Sequence, residues 1–321
     1  MKAIILAAGY GTRMRPLSDH MPKPLIPVLG KPLVWHIITK LAASKVDWIG
    51  VNVHHHAAQL QAYIETISGV PHIEISHEKE ILGSGGALNG FKKQLDTDSF
   101  VIIHNGDVLS SIPLAPLIAA WQNQQPLCML VLHEHPRYSN VVLAPDTSII
   151  DIRDRLRPAT SGQRFAYTGI AIMHSRFFEY VPQGYADMID IVLNLIQQKK
   201  ERIIGHVVQN HVWADVGTID DYLAIHRKIL IQHIPLIAAE HIPNSSLFIN
   251  GDSIIEKNVC LRGFVSIGKN CIIKSGSVIE DSIIWDNTVI SKNSILKNSI
   301  AGKGFCVTSD RVGHAAYSNN V

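Results

Sequence analysis

The chain has few cysteines, and no two of them are spaced as a metal or redox pair. Its 321 residues include four, at Cys128, Cys260, Cys271 and Cys306. Without a C-x-x-C pair, the sequence carries no zinc-ribbon or thioredoxin-like signal. Scattered cysteines in a long chain are typical of a reducing compartment, so we expect a cytoplasmic protein without disulfides.

The chain also lacks an excess of charge and a long apolar run. Lys and Arg total 29 and Asp and Glu 27, for a net charge of +2, with no basic run that resembles a polybasic arm. We therefore expect neither nucleic acid nor a membrane surface as a partner. No apolar run approaches the roughly 18 residues needed to span a bilayer. With 46% apolar residues, the chain is not of the disordered class.

Residues 1–235 alternate short apolar runs with helical patterns. Strands are predicted at Ala3–Ala7, Trp48–Val53, Ile73–Ser76, Phe100–His104, Leu127–Leu132 and Ala166–Met173, and helices at Pro32–Ala43, Ala57–Ile67, Gly86–Leu95, Pro113–Asn123, Asp187–Lys200 and Ile219–Ile231. A hairpin is predicted over Val141–Arg153. This alternation indicates an α/β domain over residues 1–238, with a Rossmann-like mixed, mostly parallel sheet and helices on both faces. Such sheets bind ligands at the carboxyl ends of their strands.

From about residue 244 a six-residue period replaces the helical one. Aliphatic side chains recur at Ile255, Leu261, Ile267, Ile273 and Ile279, and after a shift at Ile283, Val289 and Ile295. Glycine and asparagine separate them, at Gly263, Gly268, Asn270, Gly276, Asn287 and Asn293. The pattern predicts a short parallel β-helix over residues 244–310. The alternative, a small β-sandwich, would require a period of two along longer strands.

The first strand leads into a loop rich in glycine and cations. Gly9 and Gly11 are followed by Arg13 and Arg15, and Lys23 then stands between two prolines. Loop glycines let backbone N–H groups approach phosphate oxygens, and the cations balance phosphate charge. Met14 excludes a G-x-G-x-x-G fingerprint, and no G-x-x-x-x-G-K-[ST] motif is present. We interpret this segment as a phosphate-binding loop; the alternative is an ordinary βα turn.

Three further segments follow strand-like runs. Leu82–Leu88 contains three glycines and could face a flat base, or simply start a helix. Asp107 and Asp215 each follow an apolar run, where a carboxylate suits Mg²⁺ bridging phosphate oxygens. The alternatives are a turn-capping role for Asp107 and a helix N-cap for Asp215. The run His54-His55-His56 is not interpreted as a metal site, because adjacent side chains point in different directions.

These residues together resemble the sugar-1-phosphate nucleotidyltransferases. The resemblance rests on Gly9-x-Gly11-Thr12-Arg13-Met14-x-Pro16-Leu17 with Pro22-Lys23-Pro24-Leu25, and on the segments around Gly85, Asp107 and Asp215. It implies transfer of a nucleotidyl group from an NTP to a sugar 1-phosphate, with pyrophosphate released. It also implies that Arg13 and Lys23 are catalytic, that Asp107 and Asp215 hold Mg²⁺, and that the β-helix is left-handed. The nucleotide would contact Leu6, Ala8, Gly9, Gly11, Thr12, Arg13, Gly85 and Gly86.

The sugar-phosphate segment departs from the family pattern. Many members have Glu-Lys-Pro where this chain has Leu156-Arg157-Pro158, and Asn140 lies near a usual glycine. By resemblance the sugar phosphate would contact Asn140, Arg157, Thr168 and Gly169; Arg157 could instead be an exposed loop cation. Overall resemblance favours a guanylyltransferase for mannose or heptose 1-phosphate. The alternatives are a uridylyltransferase for N-acetylmuramate or glucose 1-phosphate, and a non-catalytic subunit that binds nucleotide sugars.

The short β-helix is expected to serve assembly rather than a second reaction. An acyltransferase site would need a histidine base, and no histidine lies between His241 and His314. We therefore expect a homo-oligomer formed through the β-helix, with a stoichiometry that the sequence leaves open.

Overall fold

The computed structural model describes residues 1–136, 138–156, 162–238, 242–313 and 315–316. The chain divides into two compact units. The first contains Met1–Gly9, Ile37–Val108 and Ile112–Trp213. The second contains Tyr10–His36, Leu109–Ser111 and the described residues from Ala214 onward. The second unit therefore includes both the Arg13–Lys23 segment and the C-terminal repeats. The expected domains, 1–238 and 244–310, stay a prediction about which parts fold independently.

A nine-stranded mixed sheet forms the first unit. Its strands are β1 (Lys2–Leu6), β2 (Trp48–Val53), β3 (His72–His77), β4 (Phe100–Asn105), β5 (Cys128–His133), β6 (Val141–Leu143), β7 (Ile149–Ile152), β8 (Gln163–His174) and β9 (Ile203–Val207). The order is β7-β6-β8-β4-β1-β2-β3, and β5 pairs with both β8 and β9. β1 lies parallel to β2 and β4, β2 to β3, and β5 to β9.

The long strand β8 accounts for the mixed character of the sheet. It runs antiparallel to β4, β5 and β6, and its register with β5 shifts between Tyr167 and Ala171. β6 and β7 form the predicted hairpin. Buried aliphatic residues such as Ile4, Val101 and Leu130 fill the core of this unit, as near-continuous apolar strands require. The predicted Rossmann-like, mostly parallel sheet is confirmed.

The helices agree with the predicted ones to within a few residues at their ends. They are α1 (Leu33–Ala43), α2 (Ala57–Glu65), α3 (Gly83–Gly86), α4 (Leu114–Gln124), α5 (Met188–Gln198) and α6 (Ile219–Leu230). Short 3-10 helices occupy Thr12–Met14, Leu17–Asp19, Lys23–Leu25, Ala87–Gln94 and Ser175–Glu179. The predicted helix Gly86–Leu95 is therefore a 3-10 segment that follows the four-residue α3. No helix among the described residues is both long enough and apolar enough to cross a membrane.

Short parallel strands of the second unit stack into a β-helix. They are Leu247–Ile249, Ile254–Ile255, Cys260–Ile267, Ile272–Ile273, Val278–Ile284, Val289–Ile290, Ile295–Lys297, Ile300–Ala301, Cys306–Val307, Arg311–Val312 and Ala315–Ala316. Two small sheets complete the strands: Pro27–Val28 with Lys31–Pro32, and Val108–Ser110 with Trp213–Asp215. In the β-helix Ile255 pairs with Ile273, Ile273 with Ile290 and Ile290 with Val307. These steps of 17 or 18 residues correspond to three hexapeptides per coil.

The predicted phase of the repeat is wrong after the shift. Ile284, Ile290 and Leu296 fill the interior, whereas Ile295 is 40% exposed. Of the predicted inward residues, Val289 is half-buried and Ile295 exposed, and each comes one position before an interior residue; Ile283 is itself buried, at 2%, but lies outside this interior cluster. The cause is a corner: Arg262 pairs with Glu280 and Val265 with Ser282, so Asp281 alone stands opposite two residues of the preceding coil. That coil step has five residues, which a strict six-residue count cannot anticipate.

Candidate active site

In the second unit, the cationic loop packs its backbone tightly and leaves the side chains of Thr12 and Arg13 exposed. Gly11 has φ +65°, and a Cβ there would lie 3.2 Å from Ser18 Cβ and 3.4 Å from Lys23 Cβ. Position 11 therefore requires glycine both for its conformation and for its close contacts. Met14 is fully buried and anchors the Thr12–Met14 turn, while Thr12 and Arg13 are exposed.

Lys23 and Asp215 lie close together. Lys23 starts the Lys23–Leu25 turn and is only 9% exposed, and the flanking prolines restrict the backbone on either side of it. Its Nζ is 3.9 Å from Oδ1 of Asp215, which ends the strand Trp213–Asp215. This distance is within ion-pair range and beyond hydrogen-bond length. Residues almost 200 positions apart thus form one charged pair.

Arg13 also lies close to Asp215, beside Gly217. A Cβ at Gly217 would lie 3.1 Å from Asp215 Oδ2, 3.2 Å from Arg13 Nη1 and 3.2 Å from Asp221 Oδ2. The structure therefore gathers Arg13, Lys23 and Asp215 within the second unit. The N-cap of α6 is Thr218, whose side chain accepts a hydrogen bond from Asp221 N. Since Thr218 caps the helix, Asp215 is not its N-cap.

Arg15 is held differently from Arg13. Its Nε lies 2.9 Å from Asp19 Oδ1 in an exposed ion pair four residues apart. Arg13 and Arg15 are only two positions apart in the sequence, but their surroundings differ. Arg13 lies beside Gly217, and Arg15 forms an exposed ion pair with Asp19.

In the first unit, the ends of β1 and β4 are in close contact. Gly106 N donates to Leu6 O at 2.8 Å, and a Cβ at Gly106 would lie 2.8 Å from the same oxygen. Asp107, which is half-buried, follows this contact directly. Ala8 is 7% exposed at the end of β1, and Gly9 has open space around its Cα. The tight pairing of strand ends positions the backbone that bears Asp107.

The glycines of Leu82–Leu88 are required by packing. Gly85 N and Gly86 N both donate to Ala186 O, at 2.8 and 3.1 Å. A Cβ at Gly86 would lie 2.1 Å from Gly184 O, and one at Gly83 would lie 2.5 Å from Ala186 O. The segment thus interlocks with the chain before α5, and the assignment of Gly85 and Gly86 to a nucleotide stays a prediction.

A buried polar network that sequence reasoning missed connects three strand ends of the first unit. Asn52 Oδ1 accepts from Ala7 N at 2.6 Å, and Asn52 Nδ2 donates to Glu78 Oε1 at 2.7 Å. Glu78 Oε2 accepts from Leu82 N at 2.8 Å. Asn52 and Glu78 are 4% and 7% exposed. A carboxylate shortly before the glycine segment was the available sequence signal. The network fixes the start of the Leu82–Leu88 loop relative to the end of β1.

The residues expected to hold the sugar phosphate have mixed placements. Thr168 is fully buried and its Oγ1 donates to Val131 O at 2.8 Å, so its hydroxyl serves the sheet. Gly169 has φ +80°, and a Cβ there would lie 2.9 Å from Asn105 Nδ2. Asn140 precedes β6, where its carbonyl accepts from Arg153 N. Arg157 lies outside the described residues.

A cluster of imidazole and indole rings stands beside Thr168. Trp213 Nε1 donates to Thr168 O at 2.8 Å, and its ring centroid lies 4.9 Å from that of His133 and 5.5 Å from that of His135. His211 Nε2 is 3.2 Å from His133 Nδ1. Burial, with the neighbouring imidazoles, lowers the pKa of His133 to about 4, so it is neutral at pH 7. The sequence signal for this cluster was a spacing of two residues between its aromatic members, at His133 and His135 and again at His211 and Trp213.

The carboxylates fit a hard, oxygen-ligated cation. Mg²⁺ uses one or two protein carboxylates together with substrate phosphates and water, and Asp107 and Asp215 are both partly exposed at strand ends. Among the residues that the structure describes, no group of three or more His, Cys, Asp or Glu side chains is arranged for a metal. His54 Nδ1 instead lies 2.9 Å from Glu78 O. The donor chemistry of each carboxylate thus suits such a cation.

Comparison with protein families adds an independent finding. A family model described as Nucleotidyl transferase matches residues 2–232. The chain belongs to the nucleotidyl transferase family. A second model, described as GMPPB C-terminal domain, matches residues 243–312. The protein is a sugar-1-phosphate nucleotidyltransferase by family, and the resemblance stated from its motifs is confirmed.

Individual relatives of this nucleotidyl transferase differ in their nucleotide. The UTP–glucose-1-phosphate uridylyltransferase of Synechocystis sp. is 26% identical over 98% of this chain and 90% of its own. The mannose-1-phosphate guanylyltransferase of Mycobacterium tuberculosis is 24% identical over 88% of this chain and 79% of its own. The crystal structure of HddC from Yersinia pseudotuberculosis complexed with GMP-PN has a TM-score of 0.58 at 21% identity, over 70% of this chain and 96% of that one. The last similarity concerns the fold alone.

Proposed function

We propose that this enzyme is a guanylyltransferase that makes a GDP-sugar and pyrophosphate from GTP and a sugar 1-phosphate of the mannose or heptose type. The observation that carries the catalytic part is the approach of Lys23 Nζ to Asp215 Oδ1, 3.9 Å apart, with Arg13 beside Gly217. The choice of guanosine is supported by the mannose-1-phosphate guanylyltransferase of M. tuberculosis among the relatives.

The reaction is an in-line displacement at phosphorus. A phosphate oxygen of the sugar 1-phosphate attacks the α-phosphorus of GTP, and the new P–O bond forms as the bond to the β-phosphate bridging oxygen breaks. The electron pair leaves with pyrophosphate. Arg13 holds the departing phosphates, and Lys23 bridges the α-phosphate and the incoming phosphate. Both reduce the cost of bringing anions together, so catalysis consists of positioning and charge neutralisation.

Two carboxylates complete the charge balance. Asp107 and Asp215 would hold Mg²⁺, which when bound neutralises charge on the phosphate oxygens. Lys23 also balances the charge of Asp215 in the protein itself, because the pair is only 11% and 25% exposed at its side chains. The backbone of Gly9, Gly11 and Thr12 would surround the triphosphate. Gly9 has space around its Cα for such an approach.

The remaining predicted contacts divide between base and sugar. Leu6, Ala8, Gly85 and Gly86 would contact the nucleoside, and Asn140, Arg157, Thr168 and Gly169 the sugar phosphate. Since the Thr168 hydroxyl donates to Val131 O, this threonine would act mainly by setting the backbone at Gly169. Residues 1–238 would form the catalytic domain and residues 244–310 the β-helix, through which the cytoplasmic enzyme would form a homo-oligomer.

A uridylyltransferase is the second candidate, because the Synechocystis relative aligns over nearly the whole chain. A product screen by mass separates the two. Purified protein with Mg²⁺ is incubated with each of four NTPs and with mannose, heptose, glucose or N-acetylmuramate 1-phosphate, and pyrophosphate release is measured in parallel. We expect a GDP-sugar in the mannose or heptose reactions.

A UDP-sugar as the main product would select the second candidate. Tight binding of a nucleotide sugar, with no pyrophosphate from any pair, would instead identify a non-catalytic regulatory subunit.

A further inference from the structure

A single tyrosine on α6 lies between the lysine turn and the β-helix. The Tyr222 hydroxyl donates to the carbonyl oxygen of Pro27 and accepts from Trp285 Nε1, which is 3.1 Å away. Tyr222 is fully buried and Trp285 is 3% exposed. Burial raises the pKa of the Tyr222 hydroxyl, so it keeps its proton and remains a donor to Pro27. All three residues belong to the second unit.

The Pro27 carbonyl is connected to Lys23 by a short, rigid stretch of backbone. Leu25 N donates to Pro22 O at 2.9 Å, and Ile26 N donates to Lys23 O at 3.0 Å. Prolines at positions 22, 24 and 27 fix φ along this stretch. A displacement of the Pro27 carbonyl would therefore move the turn that carries Lys23, because few torsions between them can absorb it.

The same tyrosine is tied to the segment that bears Asp215. Tyr222 N donates to Thr218 O at 3.0 Å in the first turn of α6, and Thr218 is three residues beyond Asp215. One side chain thus spans from the helix that follows Asp215 to the backbone that follows Lys23. Tyr222 is thus attached on both sides of the 3.9 Å pair formed by Lys23 and Asp215.

A second contact holds α6 against the β-helix. Arg227 Nη2 is 3.1 Å from Asp281 Oδ2, and its guanidinium lies 5.4 Å from the centre of the Phe264 ring. Asp281 Oδ1 also accepts from Phe264 N at 3.2 Å. Asp281 occupies the corner with one residue fewer, where a Cβ at Gly263 would lie 2.3 Å from its Oδ1. The corner that shifts the repeat is also the corner that receives α6.

We infer that Trp285 of the β-helix and Tyr222 of α6 are positioning residues for the nucleotidyl transfer, setting the distance between Lys23 and Asp215. The inference rests on the proposed roles of those two residues. It gives the β-helix a part in the chemistry that is separate from assembly. Packing alone requires only large apolar rings at both positions; the hydroxyl and the indole N–H in addition direct one hydrogen bond each.

The test uses two conservative variants of the full-length enzyme. Trp285→Phe removes the indole N–H, and Tyr222→Phe removes one oxygen atom and keeps the ring. The matched control is Trp121→Phe, because Trp121 is 4% exposed and its Nε1 donates to Pro126 O at 3.2 Å in the first unit. For each we measure kcat, KM for both substrates, Tm, and amide hydrogen exchange in a peptide covering residues 22–28.

We expect kcat to fall roughly tenfold in Trp285→Phe and Tyr222→Phe, short of the ~10²-fold cost of a 1 Å misplacement. KM should change by less than about threefold, and exchange at Leu25 and Ile26 should become faster. Trp121→Phe should lower Tm comparably and should change neither kcat nor the exchange rate at Leu25 and Ile26. The double variant should cost no more than the worse single one, since both changes break the same chain of hydrogen bonds.

Equal kcat in Trp285→Phe and Trp121→Phe, with unchanged exchange over residues 22–28, would overturn the inference and leave the proposed function intact. If wild-type protein turned over no substrate pair, the proposed function would fail instead. The exchange measurement would then decide the coupling between Trp285 and the Lys23 turn by itself.

Discussion

The two glycine-bearing loops use the same residue type for different purposes. At Gly11 the left-handed backbone lets a loop turn sharply and expose Thr12 and Arg13. At Gly86 the missing Cβ makes room for a carbonyl oxygen of a distant segment, 2.1 Å from where that Cβ would stand. In the proposed function the first loop acts through side chains, the exposed Thr12 and Arg13 and the nearly buried Lys23, and the second contributes shape. Substitutions in the first should therefore affect turnover, and those in the second should affect stability.

The largest effect is expected at Lys23. Lys23→Ala removes the cation 3.9 Å from Asp215, and loss of one preorganised charge of this kind costs ~10²–10³ in kcat. Turnover is measured with saturating substrates, and Tm is recorded alongside it. If kcat fell less than tenfold while Tm dropped sharply, Lys23 would be a structural residue and the contrast between the loops would be lost.

Gly86→Ala should produce the next largest effect, and this effect should be on Tm rather than on kcat. Its Cβ would overlap Gly184 O, and forced overpacking costs about 1–3 kcal/mol. For a unit of this size that lowers Tm by several degrees. The matched control is Gly9→Ala, because no atom lies within 4 Å of its Cβ position; its Tm should stay within about one degree of wild type. Equal Tm values for the two variants would contradict the packing explanation.

The contrast between the loops also shows what the sequence could predict. Gly11, Arg13 and Lys23 could be interpreted locally, because a strand, a left-handed glycine and flanking prolines are features of neighbouring residues. The partner of Gly86 could not, since Gly184 is almost 100 positions away and only the folded chain brings its carbonyl near. The same limit applies to Asn52 and Glu78, whose role depends on pairing between separate strand ends.

The β-helix also has a feature that the sequence could not predict. Its six-residue period and its turn residues were visible in the sequence, and Asn270, Gly276, Asn287 and Asn293 do have positive φ. The phase of the repeat beyond Ile279 could not be predicted, because a single shorter corner at Asp281 moves every following inward position by one. Periodicity predicts that coils exist, whereas the length of each corner has to be observed.

Each of the two units contains a buried histidine whose protonation should make stability depend on pH. Burial, with repulsion from Lys40, lowers the pKa of His104 in the first unit to about 4; burial, with repulsion from His36, does the same for His226 in the second. The unfolded chain, with a histidine pKa near 6.5, binds protons that the folded form does not. Stability is therefore lost as pH falls from about 6.5 towards 4, and is insensitive to these groups above that range.

At pH 5 each of these histidines should cost on the order of 1–2 kcal/mol. Unfolding by urea at pH 7.5 and pH 5.0 measures the difference, and His104→Gln and His226→Gln should each reduce it. A variant with the full wild-type difference would show that its histidine is already protonated in the folded state. Unequal reductions would show which of the two histidines contributes more to the loss of stability in acid.

The smallest effect is expected at Arg15, two residues from Arg13. Arg15 is exposed and its Nε pairs with Asp19 at 2.9 Å, whereas Arg13 lies beside Gly217 and Asp215. An exposed ion pair contributes about 0–1 kcal/mol to stability, and a distant surface charge is largely screened at physiological salt. Arg15→Ala should therefore change kcat by no more than about twofold and Tm by a few degrees at most, while Arg13→Ala should lower kcat by at least tenfold. Pyrophosphate release by both variants in parallel, at low and at 0.5 M salt, measures this. Comparable losses in the two would mean that the loop acts through its total positive charge, and the placement of Arg13 beside Asp215 would then have no separate role in turnover.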